Sequence, residues 1–507
     1  MRHGLRVLML PYLYFKDERQ SSGIVHQSGL AQALAAAGHS VVVAMPSGRE
    51  WRYDHERWFG GHENLTVRAV DYPQDLNFTG GLISAELARL LTPELTDVPY
   101  NALFMGTPEA ALAIKRFLYK KGHTRLNTPV VTYFDSVFGY DEDGRSRAGR
   151  GGSNPDFVAE LMQLQVLSTL DCPAVLHIPN EVATLERNAR ELLAPSRARL
   201  AMANIHRVPR PYAPPLPPVR RQLQGETYRV FVARSFGASD EEAGWQTLPL
   251  IRAVQYLRVK GIPIKTVLAT QSPLDDWARG VIAEAGDSLE LMHRQPRESV
   301  LAALYDCELS CHLTDFNGLF MSSIEAVCSG SPHLFKRTRY SLGEVNSPFW
   351  VESYEIEAVM AALNGMIERF DECAETAFAN ALIECELREP AAIGAEIGGI
   401  IEAAWRAENP ALARIESPAD RFPSMGATLD EVAAPGPGGV GKLDGLSLHD
   451  ATAAVAAARQ SGTLGRYSVP WLAWALETMG YAVRLEGGLA APAWHLAWQG
   501  TFREEAP

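Results

Sequence analysis

What the chain lacks narrows its class first. It has six cysteines in 507 residues, too few for a disulfide framework in a chain this long. Cys307 and Cys311 are the one close pair, and no matching pair nearby completes the four ligands of a structural zinc site. No apolar run approaches the ~20 residues needed to span a bilayer. The opening Met1-Arg2-His3-Gly4-Leu5-Arg6 leads into a short strand-like run with no h-region or small-residue cleavage site, so the expectation is a cytoplasmic protein with reduced thiols. Positive charge is in deficit: 47 Lys and Arg stand against 60 Asp and Glu, a net of −13. That excludes a uniformly basic binder of nucleic acid or anionic lipid and leaves only a local basic groove.

What is present is an ordinary globular composition, 47% hydrophobic and 21% charged. At roughly 100–200 residues per domain the length suggests about three domains. Over the first 215 residues strand-like and helix-like segments alternate. Leu5 to Leu10 reads as a strand buried on both faces, Gly23 to Gly38 as a helix with a glycine cap, and Ser40 to Ala44 as the next strand. Further strands are expected at Leu65 to Val70, Ala102 to Met105, Val130 to Phe134, Ala174 to Ile178 and Leu200 to Ile205, with helices such as Ile83 to Leu91 and Pro108 to Tyr119 between them. This alternation predicts a doubly wound parallel sheet. A proline-dense stretch over 208–221 then reads as a stiff connection.

Beyond it the pattern restarts. Strands are expected at Tyr228 to Ala233, Ile264 to Ala269, Leu289 to Met292, Glu308 to Leu313 and His333 to Phe335, with helices at Trp245 to Val259, Arg297 to Tyr305 and from Ser322, and a helical stretch over 355–406. Residues 407–445 are rich in Pro, Gly and Ala and read as a tether. The tail, 446–507, holds four of the ten tryptophans and reads as two helices, Leu448 to Arg459 and Val469 to Met479, followed by a hairpin of Val483 to Glu486 with Trp494 to Trp498. Either a small core or an aromatic contact surface for a protein partner accounts for those tryptophans. The expected fold class is therefore α/β: two Rossmann-like lobes, 1–215 and 222–406, then a linker and a small C-terminal α+β module. In such open sheets ligands bind at the carboxyl ends of the strands, here in the cleft between lobes.

One segment carries the chemistry. Asn317-Gly318-Leu319-Phe320-Met321-Ser322-Ser323-Ile324-Glu325-Ala326, closing on Gly330-Ser331-Pro332, follows an expected strand and opens a helix. A helix N-terminus presents free backbone N–H groups and a positive dipole end to a diphosphate, and a carboxylate further along can accept hydrogen bonds from ribose hydroxyls. The segment resembles the nucleotide-sugar motif of GT-B glycosyltransferases of the family 4 type. By that resemblance Glu325 takes the ribose, Gly318, Leu319 and Ser322 line the donor site, and position 317 serves the sugar. The family has a carboxylate at that position and this chain has Asn317, with Asp315 two residues earlier as the substitute.

The resemblance extends to Phe231-Val232-Ala233-Arg234, a strand ending in the arginine that clamps the donor diphosphate. The family's lysine about five residues on is absent: Ser239 stands there, so a second cation such as Arg294 or Lys336 is called for. Gly23, in Ser21-Ser22-Gly23, resembles the glycine loop of the acceptor lobe. After the strand Val130 to Phe134 the family's His-Asp pair is Phe134-Asp135, leaving Asp135 to orient an acceptor hydroxyl, to act as a base or to cap a turn. His26, His177 and His293 read as structural.

The activity implied is transfer of a hexosyl group from a UDP- or GDP-sugar to a hydroxyl of a glycan, lipid or small molecule, with retention of configuration and no obligatory metal or cofactor. Two alternatives stand beside it. One is an acceptor of modified nucleic-acid bases, for which Arg145, Arg147, Arg150, Arg207, Arg210, Arg220 and Arg221 would form the basic groove; the acidic balance disfavours it. The other is a non-catalytic nucleotide-binding scaffold.

Overall fold

The computed structural model describes residues 5–11, 22–46, 52–70, 100, 102–106, 108, 111, 129–134, 137, 155–234, 236–237, 241–313, 321–337, 347–406, 481–486 and 493–498. In the first lobe, β1 (Arg6–Leu10), β2 (Ser40–Pro46), β3 (Leu65–Val70), β4 (Ala102–Met105), β5 (Val130–Phe134), β6 (Ala174–Leu176) and β7 (Ile205–Arg207) form one sheet. Its order is β3-β2-β1-β4-β5-β6-β7 and every pairing is parallel. Val7, Leu8 and Met9 are all fully buried, which is why β1 is a continuous apolar run rather than an alternating one.

The second lobe repeats the plan. β8 (Tyr228–Ala233), β9 (Ile264–Thr270), β10 (Leu289–His293), β11 (Leu309–His312), β12 (His333–Lys336) and β13 (Trp350–Val351) lie in the order β10-β9-β8-β11-β12-β13, again all parallel. In both sheets the chain winds outward one way from the first strand and then crosses back to its other side. The switch points therefore lie between β1 and β4 and between β8 and β11.

The helices of the first lobe are α1 (Ser22–Ala36), α2 (His55–Phe59), α3 (Pro155–Thr169), α4 (Pro179–Leu192) and α5 (Pro195–Ala203). Gly38, at φ +88°, lets the chain turn out of α1 into β2. The strand expected at Leu200 to Ile205 is corrected here. Residues 195–203 are helical, and the strand is Ile205–Arg207. Pro195 pre-sets the first turn and the alanines beyond it favour helix, while β7 is a partly exposed edge strand that needs no apolar run. The expected helices Ile83 to Leu91 and, apart from residues 108 and 111, Pro108 to Tyr119 lie outside the described residues.

The second lobe carries α6 (Glu241–Val259), α7 (Asp276–Ala285), α8 (Arg297–Asp306), α9 (Met321–Cys328), α10 (Ile356–Glu368), α11 (Phe370–Leu387) and α12 (Pro390–Arg406). The last of these crosses back: Ile393, Ile397 and Ile401 are buried in the core of the first lobe, beside Leu30 and Leu34 of α1. An isoleucine stripe at i, i+4, i+8 supplies the apolar face, and each fully buried isoleucine contributes about 1.5–3 kcal/mol. Gly394 and Gly398 make the close approach feasible, since a Cβ at either would collide with the Ala33 carbonyl or the His39 ring.

The lobes are thus joined by two antiparallel passages of chain, and these are tied together. Tyr212 N donates to Arg388 O at 3.0 Å, Arg388 Nη1 donates to Arg210 O at 3.4 Å, and Arg388 Nε pairs with buried Glu384 at 3.0 Å. In the tail, β14 (Tyr481–Glu486) and β15 (Ala493–Trp498) pair antiparallel from Tyr481 opposite Trp498 to Glu486 opposite Ala493, matching the expected hairpin. The tether and the two expected tail helices lie outside the described residues.

Candidate functional site

At the switch point of the second sheet, Arg234 directly follows β8. Its backbone N–H donates to Ala269 O at 2.9 Å, which continues the ladder and holds the residue at the strand's carboxyl end. The side chain is largely buried. Nη1 donates to the Leu313 carbonyl, just past β11, and Nη2 to Gln246 Oε1 on α6. A guanidinium fixed this way is a pre-organised cation.

His312 ends β11 beside it. Its Nδ1 lies 3.3 Å from Ser322 Oγ and 3.1 Å from Ser323 Oγ, both in the first turn of α9. Burial, then the Arg234 charge and His333, hold the His312 imidazole well below its usual range, so it is neutral at physiological pH. His333, hydrogen-bonded to Ser310 Oγ at 2.9 Å, is pushed by burial to about 3. One turn along α9, the Glu325 carboxylate is buried and ion-paired with Arg297, the first residue of α8. Burial opposes the Arg297 charge but Glu325 outweighs it, and the net direction is upward. The guanidinium also sits 6.0 Å from the Trp58 ring centre on α2 of the first lobe. Tyr212 of the connector has its hydroxyl pushed above the usual range by burial and then by Glu325. A surface pair, Arg57 to Glu298 at 2.7 Å, bridges the lobes beside them.

The first lobe buries a different group of side chains. At the end of β5, Tyr133 OH donates to Gln27 Oε1. His26 Nε2 lies 3.0 Å from His177 Nε2, and His177 Nδ1 lies 2.8 Å from the Val208 carbonyl. A carbonyl only accepts, so His177 carries its proton on Nδ1 and accepts at Nε2 from His26. Burial, His26 and Arg210 keep His177 far below the usual range. His293 Nε2 lies 3.0 Å from the Ser272 carbonyl in the second lobe.

Of the residues the sequence singled out, the structure brings Arg234, Ser322 and Glu325 to one end of the second sheet and α9. Gly23 is the second residue of α1. Asp135, Asp315, Asn317, Gly318, Leu319 and Ser239 lie outside the described residues, as do Arg145, Arg147 and Arg150. Lys336 has its Nζ 3.9 Å from the Tyr354 ring centre, and Arg294 adopts φ 52° at the end of β10. Arg297 escaped the sequence reading: it lies 28 positions from Glu325 and no local motif points to it. Of the connector's arginines, Arg210 and Arg221 are buried and Arg220 is exposed. Arg221 Nη2 donates to Ser329 Oγ at 2.7 Å and Nη1 to the Tyr305 carbonyl, while Arg220 pairs with Glu375 at 2.8 Å.

No family model matches the sequence, and no curated protein matches it with significance. Solved structures do match in fold. Sucrose-phosphate synthase from Thermosynechococcus elongatus aligns at TM-score 0.56 and 14% identity over 80% of this chain and 100% of that one. WaaG, a glycosyltransferase involved in lipopolysaccharide biosynthesis, aligns at 0.50 and 13% over 78% and 99%. Anabaena HepE, solved with UDP and glucose, aligns at 0.50 and 11% over 79% and 100%. The chain has the GT-B fold, two facing Rossmann-like α/β lobes. Among the described residues no helix is long and apolar enough to cross a membrane.

Proposed function

We propose that the protein is a glycosyltransferase that moves a hexosyl group from a nucleoside-diphosphate sugar to a hydroxyl acceptor on a glycan, lipid or small molecule, with retention of configuration. One observation carries the proposal: Arg234, the first turn of α9 and Glu325 converge at the switch point of the second sheet. In this reading Arg234 and the α9 N-terminus stabilise the charge that develops on the leaving diphosphate. Neutral His312 orients the two serine hydroxyls without adding a second charge. Glu325 accepts the ribose hydroxyls with help from Arg297, and Gly318 and Leu319 line the donor. Asn317 or Asp315 serves the transferred sugar, and Gly23 and Asp135 face the acceptor in the first lobe.

The proposed units are the acceptor lobe 1–215, the donor lobe 222–406, whose last helix α12 packs on the acceptor lobe, the linker 407–445 and the tail module 446–507, the last a site for a protein partner. The matched proteins support the reading through their names: a sucrose-phosphate synthase, a glycosyltransferase, and a protein solved with UDP and glucose. The inward hydrogen bonds of Arg221 and the ion pair of Arg220 with Glu375 weigh against a nucleic-acid acceptor. A second reading, nucleotide binding without turnover, is favoured by Asn317 in place of the carboxylate and Ser239 in place of the lysine.

Incubation with UDP-, GDP- and ADP-sugars, with and without candidate acceptors, separates the two. Release of nucleoside diphosphate supports transfer. Affinity without release supports the binding-only reading, and indifference to every donor refutes both.

A further inference from the structure

Cys328 closes α9, three residues after Glu325, and Cys385 lies near the end of α11. Cys385 Sγ is 3.6 Å from the Cys328 carbonyl, and the two side chains belong to one apolar cluster with Tyr212, Met321, Ile324 and Val327. Among the six cysteines Cys385 is the one not fully buried. A reagent in solvent therefore meets Cys385 first, with Cys328 directly behind it.

We propose that Cys328 and Cys385 form a reversible dithiol–disulfide site that clamps α9 to α11. The electronic setting fits this use. Cys385 donates its S–H to the Cys328 carbonyl; the neighbouring Cys385 and burial raise the Cys328 thiol, and the neighbouring Cys328 lowers that of Cys385. Burial and Glu384 oppose the lowering at Cys385, while Arg388 assists it. Cys385, the more accessible of the two sulfurs, is the one a reagent meets first.

With a low-molecular-weight disulfide such as oxidised glutathione as the oxidant, the Cys385 thiolate attacks one sulfur. A mixed disulfide forms and one glutathione thiolate leaves. Cys328 gives up its proton and attacks the Cys385 sulfur, forming the Cys328–Cys385 bond and expelling the second glutathione. Two protein thiols are oxidised, one disulfide is reduced to two thiols, and the two thiol protons end on the two glutathiones.

The clamp falls at a mechanically sensitive point. Glu384 and Arg388, on either side of Cys385, tie together the two passages of chain between the lobes. On the other helix, Cys328 shares α9 with the serines against His312 and with Glu325. Closing the bond joins the helix at the second lobe's switch point to the interlobe crossing, whatever ligand Glu325 takes.

The full chain is equilibrated in glutathione buffers and analysed by thiol titration and non-reducing peptide mass spectrometry, with hydrogen exchange on α9. The expected result is loss of two of the six thiols, a Cys328–Cys385 cross-linked peptide, full reversal by dithiothreitol, and slower exchange in α9 in the oxidised form. Cys385→Ser, and separately Cys328→Ala, should retain all of their remaining thiols. An unchanged thiol count, a mixed disulfide that persists on Cys385, or a cross-link between another pair overturns the site. A cross-link that leaves α9 exchange unaltered overturns the clamp.

Discussion

The two sheets share one winding plan but end in opposite chemistry. At the switch point of the second, a buried cation, a neutral imidazole, two serine hydroxyls and an ion-paired carboxylate meet a helix N-terminus. At the corresponding end of the first, Tyr133, Gln27, His26 and His177 satisfy one another in a network whose His177 is held neutral by burial. The difference teaches what each lobe suits. Charge fixed at the strand ends of the second lobe is complementary to a dianionic diphosphate, which must be desolvated to bind. The corresponding residues of the first lobe are buried and hydrogen-bonded to one another. The shared winding order leaves this difference to a handful of side chains.

The sharpest way to break the comparison is Arg234→Ala. A hydrogen bond to a charged group contributes about 1.5–3 kcal/mol, so affinity for a nucleoside diphosphate should fall roughly ten- to hundredfold by calorimetry. His26→Ala in the first lobe should leave that affinity unchanged. Equal losses from both variants would dissolve the distinction.

Glu325→Ala comes next. It removes the carboxylate proposed for the ribose and strands a mostly buried Arg297, and denaturant titration should register a loss of about 2–3 kcal/mol, below the range for fully buried pairs because Arg297 keeps some solvent contact. Preference for a ribonucleotide over its 2′-deoxy analogue should narrow in the same variant.

Acid should act on both lobes through the buried histidines. His177, His312 and His333 all have folded-state values below the unfolded 6.5. The unfolded chain therefore binds the protons, and stability is lost as pH falls below about 6.5, by about 1.4 kcal/mol per pH unit for each group. For His333 the loss should stop near its folded value of about 3. His333→Asn should flatten the slope of unfolding free energy against pH, and an unchanged slope would show that His333 does not contribute.

The smallest effect is expected at the exposed bridge between lobes. Glu298 is 71% exposed in its pair with Arg57, and such surface pairs contribute about 0.2–1 kcal/mol. Arg57→Ala should shift stability by no more than that.

Much of the architecture was legible because it depends on local signals. Apolar runs such as Val7 to Leu10 and Val230 to Ala233 announce buried parallel strands, Gly38 announces the end of α1, and the segment from Ser322 to Pro332 announces a helix and its return turn. Arg234 and Glu325 were legible for the same reason: each sits within a short run of residues whose spacing has a chemical rationale. The edge strand β7 was misplaced because a three-residue, half-exposed strand needs no pattern of its own. Arg297 was invisible because its meaning comes from a partner on another helix, and the contact of Cys385 with Cys328 for the same reason across 57 positions.

Taken by itself, the amino-acid order determined the two α/β lobes, the stiff connection between them and the helix whose N-terminus faces the candidate site, because backbone geometry responds to neighbours within a few residues. Only the tertiary structure decided that α12 returns to the first lobe, that Arg221 of the connector is turned inward, and that Arg297 holds Glu325. Those outcomes depend on close packing and charge pairing between segments far apart in sequence, for which no local residue pattern substitutes.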